Sequence, residues 1–191
     1  MGKFVLGAKR PLIIAGPCSA ETREQTVETA MQLARSGRVD VIRAGVWKPR
    51  TQPGTFEGVG EPALEWLNEV KAATGLPIAV EVANRAHVEC ALRHGVDLLW
   101  IGARTTVSPF AVQEIAESLR GNKDVAVLIK NPMVPDINLW AGAVNRLIKE
   151  GIPAENIGLI PRGFSYFGRS KSRTPPMWHM IFEMRSRFPD M

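Results

Sequence analysis

Cysteine is scarce in this sequence, and its scarcity bears on the compartment. Only Cys18 and Cys90 occur in 191 residues, too few to staple a chain of this length, so a disulfide framework is excluded and a reducing cytoplasm is the expected setting. Long apolar runs are lacking as well. No stretch nears the ~18 residues that would span a bilayer. Met1-Gly2-Lys3-Phe4-Val5-Leu6 has no extended apolar core for a signal peptide, and Leu6 stands where an N-myristoylation signal wants Ser or Thr. No membrane partner is expected. Massed charge is missing too. The net charge is +5, but the cations stand singly behind apolar runs. The one dense basic run, Arg169, Lys171 and Arg173, reads as a solvated loop, so no nucleic acid is expected. A surplus of scattered cations points instead to small anionic ligands.

What the chain does have is enough apolar residues, 45%, for one sizeable core and one domain over residues 1–191. Apolar runs over residues 12–15, 39–43, 78–82, 98–101, 125–129 and 157–160 read as buried strands. Amphipathic stretches read as helices over residues 62–74, 85–94, 108–119, 138–149 and 176–187, with a first helix opened by Ser19 and stopped near Ser36 by Gly37. Six strand-then-helix units with nearly all-apolar strands predict a parallel sheet covered by helices. Cys18, Arg43, Glu81, Arg104, Lys130 and Arg162 each stand at or just past the end of a successive strand. A barrel brings every strand end to one rim, whereas an open sheet gathers function at one switch point, so the expected fold is a (β/α)8 TIM barrel. At about 30 residues per unit a full barrel takes about 250. The chain is therefore expected to be an incomplete, C-terminally truncated barrel lacking strands seven and eight.

The strongest ligand signal is Val41-Ile42-Arg43-Ala44-Gly45-Val46-Trp47-Lys48-Pro49-Arg50-Thr51. An apolar run ends in Arg43, and a Lys-Pro-Arg-Thr turn adds two cations and a hydroxyl beside a residue of fixed φ, equipment for gripping phosphate or carboxylate. Gly102-Ala103-Arg104-Thr105 offers an Arg with exposed backbone N–H groups, and Pro161-Arg162-Gly163 another guanidinium. Lys130 follows a wholly apolar strand, so its ammonium is poorly hydrated and can hold an anion or, deprotonated, form a Schiff base. Glu81 is the only carboxylate at a strand end: a proton carrier or water positioner, or a counter-charge to the arginines. Cys18, in Gly16-Pro17-Cys18-Ser19, is a thiol ahead of a helix N-terminus, without another Cys or His at zinc-motif spacing. Cys90 reads as core, and His87, His94 and His179, on predicted helices, as structural. Gly58-Val59-Gly60-Glu61-Pro62-Ala63 fits a dinucleotide fingerprint but follows a polar loop and carries an anion, so it is rejected.

On Gly16-Pro17-Cys18-Ser19, Arg43, Lys48-Pro49-Arg50-Thr51, Gly102-Ala103-Arg104-Thr105, Lys130 and Arg162-Gly163, the chain from about Leu12 onward resembles 3-deoxy-D-arabino-heptulosonate 7-phosphate (DAHP) synthase. The Lys-Pro-Arg-Thr turn separates it from the sister enzyme of the eight-carbon sugar acid. Lys130-Asn131-Pro132 and Arg162-Gly163-Phe164-Ser165 are most similar to the sub-group whose synthase is followed by a chorismate mutase domain. The resemblance implies condensation of phosphoenolpyruvate with erythrose 4-phosphate, the first step of the shikimate pathway, in a homo-oligomer and with a divalent metal that polarises the aldehyde. It implies Arg104, Lys130 and Arg162 on the phosphate of phosphoenolpyruvate, with Gly102 and Ala103 beside it. Arg43 and Lys48 would lie near the carboxylate and reacting end, Pro49, Arg50 and Thr51 face the sugar phosphate, and Cys18 is a metal ligand. Lys48 and Glu81 are the expected catalytic residues. The family's other metal ligands, His, Glu and Asp, have no counterpart here and are expected beyond residue 191, so the chain alone is expected to be inactive. The rival readings are a Schiff-base aldolase using Lys130 and a non-catalytic phosphate-binding module.

Overall fold

The computed structural model describes residue 6 and residues 11–168, 171–172 and 174–191. Residues 1–5 of the N-terminal stretch, and Arg169 and Arg173 of the basic run, lie outside the described residues. The elements in order are β1 (Ile14–Ala15), α1 (Arg23–Arg35), β2 (Val41–Arg43), α2 (Pro62–Thr74), β3 (Ile78–Val82), α3 (Arg85–Arg93), β4 (Leu98–Ile101), α4 (Ala103–Thr106), α5 (Pro109–Ser118), β5 (Ala126–Lys130), α6 (Ile137–Lys149), β6 (Ile157–Ile160) and α7 (Trp178–Arg187).

The six strands form one sheet in the order β1-β2-β3-β4-β5-β6, every pair parallel. This order decides between the two α/β architectures. A doubly wound sheet reverses its strand order at a switch point, whereas sequential neighbours with helical crossovers wind in one direction, as in a barrel. The described strands therefore form most of an incomplete (β/α)8 barrel.

Alternate residues of a strand face opposite sides of the sheet, and both sides are apolar for different reasons. Ile42, Ile78, Val80, Val82, Leu99, Ile101, Val127 and Ile129 pack outward into the large core under the helices, together with Leu64, Leu67, Ile115, Trp140 and Leu147. The other parity, Val41, Ala79, Leu98, Trp100, Ala126 and Leu128, forms a second, inner cluster against Leu12, Ile14 and Ile160. Arg43, Glu81 and Lys130 share the inner parity, each two residues beyond a member of that cluster, so the chain places its charges one layer above an apolar floor.

Several element boundaries differ from expectation by one to three residues or more, and some of these have a plain physical reason. Helix α1 opens at Thr22, whose Oγ1 accepts from Gln25 N at 3.1 Å in a Thr-x-x-Gln capping pattern. Ser19 is instead buried in the preceding turn, where neighbouring Ala20 N bonds to Gly45 O. Strands β1 and β2 begin late because the Ile13 N–H is taken by the Asp40 carboxylate at 2.8 Å. Strand β5 runs one residue further, so Lys130 pairs with Ile160 within the ladder. Helix α4 is four residues long, too short for its periodicity to be legible in sequence.

Candidate functional site

The site grows from the inner parity of the strands. Glu81 on β3 stands opposite Trp100 on β4, and its Oε2 accepts from the indole Nε1–H at 2.7 Å. The Lys130 ammonium lies 3.7 Å from the same oxygen and 5.2 Å from the centroid of the Trp100 ring. The Arg43 guanidinium lies 6.0 Å from the same ring centroid. Burial pushes the Lys130 pKa down. Glu81 opposes the shift, and the charges of Arg43, Lys48 and Arg162 reinforce it. Four cations thus share one nearby carboxylate, a field that favours an incoming anion. Gly102 permits this packing: a Cβ there would lie 2.2 Å from Glu81 Oε1.

Two buried side chains fix the spacing of the cations. Thr106 Oγ1 donates within reach of both Gly102 O (3.0 Å) and Lys130 O (2.9 Å), joining the turn that carries Arg104 to the end of β5. Asn131, wholly buried, donates from Nδ2 to Pro132 O at 2.7 Å and Gly163 O at 2.8 Å, and its Oδ1 accepts from Arg162 N at 2.7 Å. Arg104 Nη1 donates to Pro49 O at 3.2 Å, bringing the Lys-Pro-Arg-Thr turn over the rim.

These constraints leave a cavity of about 530 Å³ lined by Pro49, Thr51, Glu81, Ala103, Arg104, Lys130 and Arg162, with Met133, Ser165, Tyr166 and Thr174 completing the wall. A second cavity, about 390 Å³, is lined by Lys48, Pro49, Arg50, Glu57, Glu81, Trp47 and His87. Arg43 and Lys130 also border the open inner face of the sheet beside Leu12, Ile14, Trp100 and Leu128. Of the sequence-predicted residues, Thr51, Ala103, Arg104, Lys130 and Arg162 meet in the first cavity. Lys48 and Arg50 lie in the second, where Arg50 Nε is turned back onto Phe56 O at 2.8 Å. Pro49 and Glu81 wall both, and Gly102 contributes backbone.

Cys18 stands beside the second cavity's cation. Lys48 Nζ donates to Cys18 O at 2.7 Å and lies 3.5 Å from its Sγ. Burial alone would raise the thiol pKa, but the Lys48 ammonium, by charge and hydrogen bond, and then Arg43 outweigh it and hold Cys18 below the ordinary thiol range. As a metal ligand Cys18 lacks company. Among the described residues the one group of three or more His, Cys, Asp or Glu donors close enough to share an ion is Glu61, Cys90 and His94, which does not include it. The donors around Cys18 therefore do not by themselves fit a divalent metal.

Sequence reasoning passed over Trp100, Thr106, Asn131 and His87. Strand parity alone would have put Trp100 beside Glu81, two residues beyond inward-facing Leu98. His87 falls in the first turn of α3 and reaches the second cavity, stacked on Trp47 with ring centroids 4.2 Å apart. Ala83 N donates to its Nδ1 at 3.3 Å, so the ring proton sits on Nε2, and burial lowers its pKa against the pull of Glu81.

Residues 3–179 match the profile of the DAHP synthetase I family. Phospho-2-dehydro-3-deoxyheptonate aldolase of Thermotoga maritima is 39% identical over 104 residues, which cover 54% of this chain and 30% of the relative. 2-Dehydro-3-deoxyphosphooctonate aldolase of Methylobacillus flagellatus is 36% identical over 92 residues, 44% of this chain and 33% of the relative. The crystal structure of the Thermotoga maritima phospho-2-dehydro-3-deoxyheptonate aldolase (DAHP synthase) superposes with a TM-score of 0.78 at 27% identity, covering 96% of this chain and 53% of that one. The chain thus spans about a third of the curated relatives it matches and about half of the solved chain.

Proposed function

Since the chain belongs to the DAHP synthetase I family, we propose that its strand-end rim binds phosphoenolpyruvate and serves the condensation of that compound with erythrose 4-phosphate to give DAHP and phosphate. The observation that carries this reading is the first cavity, where Arg104, Lys130 and Arg162 converge from three successive strand ends around a single carboxylate. Three cations suit a phosphoryl group whose charge must be matched before and after it leaves. Arg43 and Lys48 meet the carboxylate at the inner edge, and Arg50 and Thr51 take the sugar phosphate above the Lys-Pro-Arg-Thr turn.

Chemically, the enol carbon of phosphoenolpyruvate forms a bond to the aldehyde carbon, water adds at the carbon bearing the phosphate, and the C–O bond to phosphate breaks. When bound, a divalent metal would polarise the aldehyde, with Cys18 as one of its ligands. The described residues orient the enol acid by its two anionic ends and hold Lys130 charged through Glu81, which also stands where it can place a water or move a proton. Because Cys18 belongs to no group of three or more close ligand donors among them, the 191-residue chain is expected to bind phosphoenolpyruvate without turning it over. Metal-dependent turnover by this chain alone would overturn that expectation. The same reading takes in one barrel domain, a homo-oligomer, a chorismate mutase domain downstream and a cytoplasmic setting.

Calorimetric titration of phosphoenolpyruvate into the chain tests the proposal: one site, displaced by inorganic phosphate, is expected, and absence of binding refutes it. The lowered pKa of Lys130 favours one second reading, a Schiff-base aldolase. Borohydride trapping of a keto substrate on Lys130 would select it.

A further inference from the structure

A second cluster of ligand-type side chains lies on the helix side of the sheet. Glu61, just ahead of α2, and Glu65, four residues on, face Cys90 and His94 at the end of α3, again four residues apart, so each pair shares one helix face. His94 Nε2 stands 3.1 Å from Glu65 Oε1 and 3.8 Å from Glu61 Oε1. The donor atoms of Glu61, Cys90 and His94 all fall within 4.8 Å of one another. We propose that Glu61, Cys90 and His94 form a transition-metal site of the Zn2+ class that clips α2 to α3, separate from the rim, with Glu65 beside it.

Three features support it beyond proximity. Tetrahedral zinc with bonds of about 2.0–2.3 Å sets its ligand atoms about 3.3–3.7 Å apart, close to the 3.8 Å between His94 Nε2 and Glu61 Oε1. His94 Nδ1 meets Cys90 O at 2.9 Å, and since a carbonyl can only accept, Nδ1 carries a proton there and Nε2 is the nitrogen left to meet an ion. A ring N–H bound to a carbonyl is the usual support of a metal-ligating histidine. Charge also closes: a thiolate and the Glu61 carboxylate carry two negative charges, which Zn2+ offsets, while Arg93, 3.5 Å from Glu61, and Glu65, 3.1 Å from His94, carry opposite charges beside it. The buried Cys90 thiol would release its proton to solvent on binding. Thiolate and imidazole together favour zinc over magnesium or calcium.

Such a clip would also act on the rim's surroundings. Glu61 directly follows Gly60, whose N–H bonds to Val46 O at 2.9 Å, closing the loop that carries Lys48 to Thr51. Helix α3 contributes His87 to the second cavity. An ion joining these elements would stiffen two walls of that cavity.

Cobalt(II) is the probe, added to Cys18→Ser protein, in which Cys90 is the one remaining thiol. A thiolate-to-cobalt absorption band at one equivalent, bleached by Zn2+ and lost in Cys18→Ser/His94→Gln, is expected. With Zn2+ at 100 times its Kd the folded-to-unfolded ratio should rise about 100-fold. His94→Gln leaves the buried thiol in place, so the test does not hang on a core substitution. Absence of the band in Cys18→Ser, its survival in Cys18→Ser/His94→Gln, or a zinc-induced thermal shift without it, would each overturn the proposal and leave the four groups as an ion-paired helix contact.

Discussion

Replacing Asn131 by Ala removes one side chain and strands three backbone groups. Asn131 makes hydrogen bonds of 2.7, 2.8 and 2.7 Å to Pro132 O, Gly163 O and Arg162 N, in a position with 0% exposure. A buried group left without its partner costs about 1–3 kcal/mol. The three share one side chain, and water entering the gap would recover part of the loss, so their costs do not simply add. About 3 kcal/mol is the expected net destabilisation. For a domain of this size that lowers Tm by about 6–12 °C. Chemical denaturation should show the loss as a lower midpoint with an unchanged slope. Because the same bonds set the position of Arg162 against Lys130, phosphoenolpyruvate affinity should fall at least about tenfold, or about 1.4 kcal/mol. A stability change under about 1 kcal/mol, or a fully destabilised variant with parental affinity, would refute the claim that Asn131 holds the rim in register.

Two further predictions follow from the electrostatics. Lys130 has its pKa lowered by burial, with Glu81 opposing. It must be protonated to hold phosphate, so phosphoenolpyruvate affinity should fall as pH rises, starting below the ordinary lysine value of about 10.4. In ligand-free protein the sign for stability is the reverse. The folded pKa lies below the unfolded one, so the cost of the buried ammonium is present at low pH and relieved as pH rises between the two values. Glu81→Gln should move both transitions to lower pH, and unchanged profiles would show that Glu81 does not sustain the charge. Cys18 should be alkylated by iodoacetamide with a pH midpoint below the ordinary thiol value of about 8.5, and Lys48→Gln should raise that midpoint. Cys90, whose thiol is pushed up by burial and by Glu61, should stay unreacted. A midpoint unmoved in Lys48→Gln would count against the pairing.

Much of this fold is legible in the sequence because parallel strands buried on both faces are plain apolar runs. The boundaries of α2, β3, β4 and β6 match the apolar and glycine punctuation residue for residue. The barrel winding was reached from the charges at strand ends, and the sequential strand order bears it out. Less legible were features set by pairing or by single hydrogen bonds, such as the late start of β2 at the Asp40 carboxylate and the Thr22 cap. At the site, Arg104, Lys130 and Arg162 stood out because an exposed-type charge closing an apolar run is rarely placed there without a partner. Asn131 and Thr106 carry no charge, and what each does depends on a neighbouring strand that no local pattern reveals. His87 reaches the second cavity because the turn between β3 and α3 is only two residues long, which keeps the first turn of the helix at the rim.

The central claim is that Arg104 serves the enol acid and Arg50 the sugar phosphate, and a paired titration tests it most directly. Phosphoenolpyruvate and erythrose 4-phosphate are each titrated into the parent chain, Arg104→Ala and Arg50→Ala. Arg104 lines the first cavity and Arg50 the second. Loss of one guanidinium to a phosphate should cost about 2–3 kcal/mol, a drop of about 30- to 150-fold in affinity. That drop is expected for phosphoenolpyruvate in Arg104→Ala and for erythrose 4-phosphate in Arg50→Ala, with the other ligand changed less than about threefold in each. Equal losses of both ligands in either variant, or parental affinity for phosphoenolpyruvate in Arg104→Ala, would contradict the account.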